Sequence, residues 1–546
     1  MRTFPFHRRA RLAGTWVAMA LGMLGCEPRE GDLPFTGPVA DADGGDAGTS
    51  PDGSAVGTSD GGSDAAPIDE GEGAQIAPGA TDRIVLFGTI LGPEGPYDGS
   101  LLVAGTTIAC AGPGDACAAS AEAAGATVVR TNGIVAPGLV DTHNHILFDI
   151  FDDSDWLPSM SYENHDQWTK EVRYGAMLDV KQCLANDSQG KPAWCAGAGF
   201  GTPDTSLRCE MDKWGELKGL VAGTTSIVGL PGTSSACFGS LARSVDVAQS
   251  GLEADRVQTS ATFPPSNPTG VCTNVASGRT QAFLVHCGEG VDARSRDEFV
   301  KLGSSSTPAD CLYAPTTTIT HGTAFGDAEF GVMAAQKMKL TWSPASNVAL
   351  YGTTTDVPKA RAAGIEVALA PDWSMGGSPN LLDELRFAAK WDQDHWQGSL
   401  GAKDLVAMVT TTPARVLALE GTIGVIQKGA LADIAVFGGD VTRPYESVVA
   451  ASPKEVRLVL VGGTVLYGDM ALLGSAATNA KAPCEKLDVC GREKFVCVST
   501  GEAVNKFDQT FAEIESRLEE ALVRADKATP EDGYAFAPLA PLVRCR

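Results

Sequence analysis

Histidine is scarce in this chain, closely paired cysteines are absent, and basic residues are outnumbered by acids. Apart from His7 near the start, the histidines are His143, His145, His165, His286, His321 and His395. A site that needs several imidazoles can therefore be assembled in few ways. None of the 14 cysteines stands in a CxxC pair, which weakens a zinc-finger reading. Lys and Arg number 42 against 67 acids, a formal charge of −25. Phosphate backbones are held by clustered cations, so this balance argues against nucleic acid as a partner. The apolar run Leu12 to Leu24 is too short to cross a bilayer as a mature helix.

Much of the charge sits in one place. Glu27 to Thr81 holds twelve acids and the single base Arg29, which accounts for −11 of the −25. The same stretch is rich in Gly, Asp, Ser, Ala and Pro. It has too little apolar surface to offset its ordering entropy and reads as a disordered, self-repelling linker over residues 27–81. Ahead of it, MRTFPFHRRARLAGTWVAMALGMLGC joins a basic start (Arg2, Arg8, Arg9, Arg11) to an apolar core and ends on small Gly25 before Cys26. Residues 1–26 read as an export signal. The ending resembles a bacterial lipobox, with Cys26 as lipid anchor; ordinary cleavage near Gly25 is the alternative. The expected location is the cell envelope, with the membrane met only through that anchor.

Cysteine usage agrees with export. Setting Cys26 aside leaves thirteen, an odd number. Cys287, inside an apolar run beside His286, is the expected free thiol. The local pairings expected are Cys110 with Cys117, Cys183 with Cys195, and pairs among Cys484, Cys490, Cys497 and Cys545.

From Asp82 the texture becomes globular. RIVLFGTIL and GSLLVAGTTIAC are short β-type runs between Gly-Pro turns, and EVRLVLVGGTVLYGD much later has the same character. Between them, strand-like GTTSIVGL, TQAFLVHCGEG, PTTTITHGTAF, MKLTWSPASN and IEVALAPDWSMGG alternate with helix-like segments such as NLLDELRFAAKWDQ. This alternation predicts an α/β fold with a parallel sheet, and so many repeats favour a closed (β/α)8 TIM-type barrel over residues 137–414. The flanks, 82–136 and 415–475, are expected to form one small β-sandwich. Residues 476–546 are expected as a disulfide-tied extension with an amphipathic helix, AEIESRLEEALVRAD.

His143 and His145 end the run GIVAPGLVDTHNH. Residues two apart on a strand point to one side, so both rings can reach one cation. His286 ends QAFLVH with Glu289 three residues on, His321 ends TTTITH, and Asp372 ends IEVALAPD. Strand ends form the active-site face of such a barrel. A buried His satisfied by backbone, or an Asp capping the next helix, is the ordinary reading of each alone. The common register argues for one site.

These motifs, PGLVDTHNH, FLVHCGEG, TITHGTAF, WSPASN and ALAPDWSMGG, with TPARVLALEGTIGVIQKGALADIAVF, resemble the amidohydrolase superfamily of metal-dependent hydrolases from about Asp82 to Asp469. The resemblance implies a barrel with a β-sandwich, and metal ligands at His143, His145, His286 and Asp372. Zn²⁺ suits such nitrogen and oxygen donors, with Fe²⁺ chemically close. It also implies that His321 orients the attacking water or polarises the substrate, that Asp372 can take up a water proton, and that Glu289 carries protons. Binuclear members use a bridging lysine on the fourth strand. No lysine occurs between Lys218 and Lys301, and Lys218 sits in the helix-like EMDKWGELKGL, which favours one metal. The pattern most resembles the branch of cytosine, guanine and adenosine-type deaminases and triazine hydrolases.

The loop DDSDWLPSMSYENHDQW is expected over the barrel mouth, with Trp156 or His165 against substrate or simply packed within the loop. Asn347 is expected either to orient substrate or to brace a turn, and His395 to lie on the surface. The leading function is hydrolysis of a C–N bond, foremost deamination of a small heterocyclic amine. An amidase, peptidase-like or ring-opening hydrolase on the same site, and a non-catalytic surface binding protein, are the alternatives. The partner expected is a small-molecule substrate; oligomerisation stays open.

Overall fold

The computed structural model describes residues 73–188, 190–229, 237, 241–246, 255–476, 484–499, 509–529 and 535–545. The expected export signal, Cys26 and nearly all of the expected linker lie outside them. No helix among the described residues is long and apolar enough to cross a membrane.

The central segment carries eight short parallel strands: β1 (Leu139–Asp141), β2 (Thr224–Ile227), β3 (Arg243–Ser244), β4 (Val257–Ser260), β5 (Ala282–Cys287), β6 (Thr317–His321), β7 (Lys339–Trp342) and β8 (Val367–Leu369). β4 to β8 form one five-stranded sheet and β1 to β3 a second of three. A parallel bridge between Asn144 and Asp372 joins the two at the ends of β1 and β8. The His145 amide donates to the Asp372 carbonyl at 2.7 Å, and the Asp372 amide to the His143 carbonyl at 3.1 Å.

Register decides which side chains reach the site. β5 is buried throughout, as expected of a parallel strand covered on both faces. Ala282 and Leu284 pack with Val140, Val257 and Ala368 in one apolar cluster, while Phe283, Val285 and Cys287 join the larger cluster beneath the helices. By the two-residue period, His286 continues the inner column above Leu284. A one-residue slip would turn it outward. Cys287 pairs with His321 in the β5–β6 ladder, so both strands deliver their histidines at the same end.

The flanks of this segment are joined. Five strands before it and five after it form a single ten-stranded sheet, where Ile434–Phe437 runs antiparallel to Ala126–Pro137. Ala126–Pro137 leads straight into β1. Two boundaries differ from expectation. Gln75–Ala77, inside the expected linker, is a strand paired with Val128–Arg130; its Ile76 packs on the sheet's apolar cluster, which holds this segment to the sheet. Glu485–Val489 and Arg492–Val496, placed in the expected extension, complete the sheet beyond Thr464–Asp469. Phe495 is the buried apolar anchor there.

The rest of the extension also packs on the body. Its helix Phe511–Ala528 stacks Phe511 on Trp214 with ring centroids 5.8 Å apart. Trp214 belongs to the helix Arg208–Leu220, every residue of which after Arg208 is buried, charged ones included. The expected disulfides Cys110–Cys117 and Cys183–Cys195 are present, and the C-terminal group pairs as Cys484–Cys497 and Cys490–Cys545. Cys209–Cys237 and Cys272–Cys311 complete the set, and Cys287 is the buried free thiol.

Candidate active site

The strand ends converge on a cavity of about 300 Å³ whose floor holds His145, His286, His321, Glu289 and Asp372. His143 lies directly beneath, 1% exposed. The ligand atoms of His143, His145 and His286 all lie within 4.8 Å of one another, and so do those of His143, His321 and Asp372. His143 Nε2 approaches Asp372 Oδ1 to 2.9 Å without a hydrogen-bond partner of acceptable angle, and His145 Nε2 lies 3.5 Å from the same oxygen. His286 Nε2 and His145 Nε2 face each other at 3.3 Å. Ligand atoms crowded this closely, with His143 Nε2 buried and without a hydrogen bond, suit a shared cation. The set of imidazoles with one carboxylate is the donor chemistry a Zn²⁺-like ion takes.

Electrostatics agree with this arrangement. Burial drives His145 down to about 3, even though the Asp372 charge opposes it. Burial likewise pushes His286 well below, and His321 below, the ordinary imidazole value. Asp372 also feels burial, which disfavours its charge, but the surrounding His143, His321 and His145 rings hold it well below the usual carboxylate range. Neutral imidazoles and an ionised carboxylate are the forms that bind metal.

Outer contacts orient the rings. The His286 Nδ1 lies 3.0 Å from the Ser260 carbonyl, which makes Nδ1 the protonated nitrogen and leaves the Nε2 lone pair free. Asp141 accepts from the His143 amide at 2.9 Å and from Asn144 Nδ2 at 3.1 Å, fixing the turn after β1. His321 and Asp372 have φ of +72° and +71°, a left-handed backbone that non-glycine residues rarely adopt. Such strain persists where the surroundings over-determine it and clusters at functional sites.

The tautomer of His321 follows from a directed chain. Trp342 Nε1, which can only donate, donates to Thr354 Oγ1 at 2.7 Å. The Thr354 hydroxyl therefore gives its own proton to Asn347 Oδ1 at 3.3 Å. That assignment turns Asn347 Nδ2 to His321 Nδ1 at 3.0 Å, so Nδ1 accepts and Nε2 carries the ring proton. Asn347 is fully buried and absent from the cavity lining; it braces His321.

Glu289 sits on the turn after β5. Gly290, at φ +148°, lies so close to the loop after β1 that an added Cβ would come within 2.5 Å of the Glu163 carbonyl oxygen. Val291 N donates to that oxygen at 2.7 Å. This contact carries His165 to the cavity, its Nδ1 3.9 Å from Glu289 Oε2. His165 thus lines the pocket. Trp156 does not: it is buried behind the wall, donates to Glu171 at 2.8 Å, and packs against Trp168 and Trp373. The cavity is lined instead by Trp168 and Trp373, which with Phe148, Tyr174 and Phe263 make the walls aromatic. Periodicity offers no means of choosing among tryptophans on one loop. Tyr351, which donates to Glu289 Oε1 at 2.6 Å, carries no motif signal in the sequence. His395 is on the surface, stacked on Trp391.

Residues 271–466 match the Amidohydrolase family. This segment, rather than the whole chain, is what resembles the family. The match takes in His286, Glu289, His321 and Asp372; His143 and His145 lie before it and join the site through the fold. A 5-methylthioadenosine/S-adenosylhomocysteine deaminase from Desulfitobacterium hafniense (strain Y51) is 24% identical over 385 residues, 65% of this chain and 85% of that protein. Among solved structures, a mutant of atrazine chlorohydrolase from Arthrobacter aurescens TC1, complexed with zinc and atraton, superposes with a TM-score of 0.52 at 17% identity, covering 70% of this chain and 95% of that one. Guanine deaminase from C. acetobutylicum, with guanine bound, gives 0.51 at 16% identity, covering 70% and 99%. These likenesses speak for a TIM-type fold of mixed α/β content. The family is one of metal-dependent hydrolases.

Proposed function

We propose that this chain is a mononuclear metal-dependent hydrolase that deaminates a small, uncharged aromatic heterocycle. The observation that carries the reading is the placement of Glu289. One of its oxygens is held by Tyr351, and the other lies 3.9 Å from both His321 Nε2 and His165 Nδ1, beside the histidine cluster and at the floor of an aromatic-walled cavity.

In this reading His143, His145, His286 and Asp372 hold one divalent cation, Zn²⁺ by donor type with Fe²⁺ close. When bound, the cation supplies Lewis acidity that eases ionisation of a water molecule. Asp372 takes the proton that the water loses. His321, protonated on Nε2, donates to charge developing on the attacked carbon's substituent. Glu289 carries the proton lost by the water on to the ring nitrogen or leaving amine. Trp168, Trp373 and Phe263 sandwich a flat ring and exclude water. Lys218 is bonded to Ser374 Oγ at 3.2 Å and is not among the residues lining the cavity, in keeping with one metal.

The substrate class follows from charge. Among the described residues lining the cavity none is Lys or Arg. The stretches 230–236, 238–240 and 247–254, between β2 and β4, also contain neither. A carboxylate or phosphate on the substrate would lie near Glu289 and find no Lys or Arg side chain among the described lining residues to pair with. Uncharged amino-heterocycles fit better than a charged compound such as the S-adenosylhomocysteine in one relative's name.

The same reading takes residues 137–414 as a closed (β/α)8 barrel, the flanking sheet as its companion β-sandwich domain, and the chain as an exported protein anchored through Cys26. Metal analysis of the full-length protein and a screen of aminated heterocycles for ammonia release test the function. Metal-free folded protein, or a new carboxylate in place of ammonia, would refute it.

A further inference from the structure

The last described residues of the chain return to the catalytic face. Phe536 packs on Phe151 with ring centroids 5.5 Å apart, and the Ala540 amide donates to the Ile150 carbonyl at 3.2 Å. Four residues later Arg544, its side chain 14% exposed, reaches between two loops. Its Nη2 donates to the Ser374 carbonyl at 2.8 Å, and its Nη1 pairs with Asp153 Oδ2 at 2.5 Å. The other oxygen of Asp153 accepts from the Gly376 amide at 2.9 Å. One guanidinium therefore ties the loop after β1 to the loop after β8, and grips the latter at two points either side of Met375. Ser374 is two residues from Asp372 and next to Trp373, which walls the cavity.

The next residue, Cys545, is bonded to Cys490, 55 positions earlier, in the two-residue turn between Glu485–Val489 and Arg492–Val496 of the flanking sheet. The disulfide confines the chain end, so the ordering entropy of Arg544 is met before any substrate arrives. Arg holds the two acceptors from separate nitrogens of a rigid planar fork, whereas Lys would have a single nitrogen to share between them. We propose that Arg544 is a positioning residue: held by Cys490–Cys545, it fixes the segment that carries Asp372 and Trp373. Only its consequence for turnover rests on the function proposed above.

Hydrogen–deuterium exchange on the full-length, metal-free protein reads this without reference to activity. In Arg544→Ala, a peptide covering residues 371–380 should exchange about tenfold faster, the loss expected for one or two hydrogen bonds. The double variant Cys490→Ser/Cys545→Ser should match it, and Arg544→Lys should recover less than half of the protection. Arg524→Ala, a control on the same extension whose guanidinium bonds the Ala198 carbonyl, should leave the peptide unchanged. With the amine substrate, Arg544→Ala should lower kcat/KM about tenfold with most of the change in KM, because Trp373 is a wall of the pocket. Unchanged exchange in Arg544→Ala, full recovery in Arg544→Lys, or a rise spread evenly over the whole chain overturns the proposal. Since exchange is read without substrate or metal, the role of Arg544 is tested even if the protein proves inactive on amines.

Discussion

Tyr351 donates a 2.6 Å hydrogen bond to Glu289 Oε1, and Trp168 donates in turn to the Tyr351 oxygen at 2.9 Å. The chain occupies one carboxylate oxygen and leaves Oε2 turned toward His321 and His165. Tyr351→Phe removes one neutral donor to a charged group, worth about 1.5–3 kcal/mol. Turnover should fall about 10- to 100-fold while metal content stays at the wild-type level. Steady-state kinetics beside elemental analysis check both.

Asn347→Asp reverses the logic at His321. A carboxylate accepts, so Nδ1 must become the donor and Nε2 loses its proton to it. Turnover should drop by about two orders of magnitude or more, the scale seen when a catalytic imidazole is held in the wrong tautomer. Asn347→Asp should remain folded by circular dichroism; activity within a factor of about three of wild type would show that the tautomer of His321 does not matter.

Both residues illustrate what is legible in the sequence. The strand-end positions of His143, His145, His286, His321 and Asp372 can be read because a parallel strand is a short apolar run and its last polar residue falls at a fixed register. Glu289 follows from spacing. The contacts around them cannot be read. Tyr351 and Thr354 reach the site from the loop and helix after β7, by tertiary packing with no periodic signature. Trp156 and Trp168 lie on one irregular loop, where which ring faces the cavity depends on contacts with Tyr174 and Trp373. The two strands of the C-terminal extension are hidden for a related reason: EKLDV, at the sheet's edge, and REKFV, between it and Thr464–Asp469, are short polar runs whose buried apolar anchors are Val489, Phe495 and Val496.

Glu384 supplies a pH-dependent contribution away from the chemistry. It is buried, accepts from the Ala345 amide at 3.1 Å and from Ser378, and burial lifts it from 4.5 to about 8. Between those values the folded chain keeps a proton that the unfolded chain has released. The contribution to stability is therefore fully present below about pH 4.5 and lost as pH rises through about 8. Chemical denaturation at about pH 5 and pH 9 should show Glu384→Gln removing on the order of 3 kcal/mol of the fall seen in wild type. An unchanged pH dependence would assign the fall to other groups.

The extension is expected to stabilise the body as well as to close on it. Phe511, 7% exposed, stacks on fully buried Trp214. Phe511→Ala should cost about 3–5 kcal/mol by loss of burial and an unfilled cavity. Urea unfolding reads the value; a change below about 1 kcal/mol would mean the helix Phe511–Ala528 is only loosely attached.

Deamination at this site requires one cation and one proton carrier acting together, and a paired measurement separates them. Full-length wild type, Asp372→Ala and Glu289→Gln are assayed for bound metal per chain and for ammonia release from an uncharged amino-heterocycle. Wild type should hold one divalent ion and release ammonia. Asp372→Ala should lose both. Glu289→Gln should keep the metal and lose about 10²- to 10⁴-fold in turnover, the range for a general acid–base group. A Glu289→Gln protein that turns over normally, or a wild type that folds and binds no metal, would contradict this division of roles.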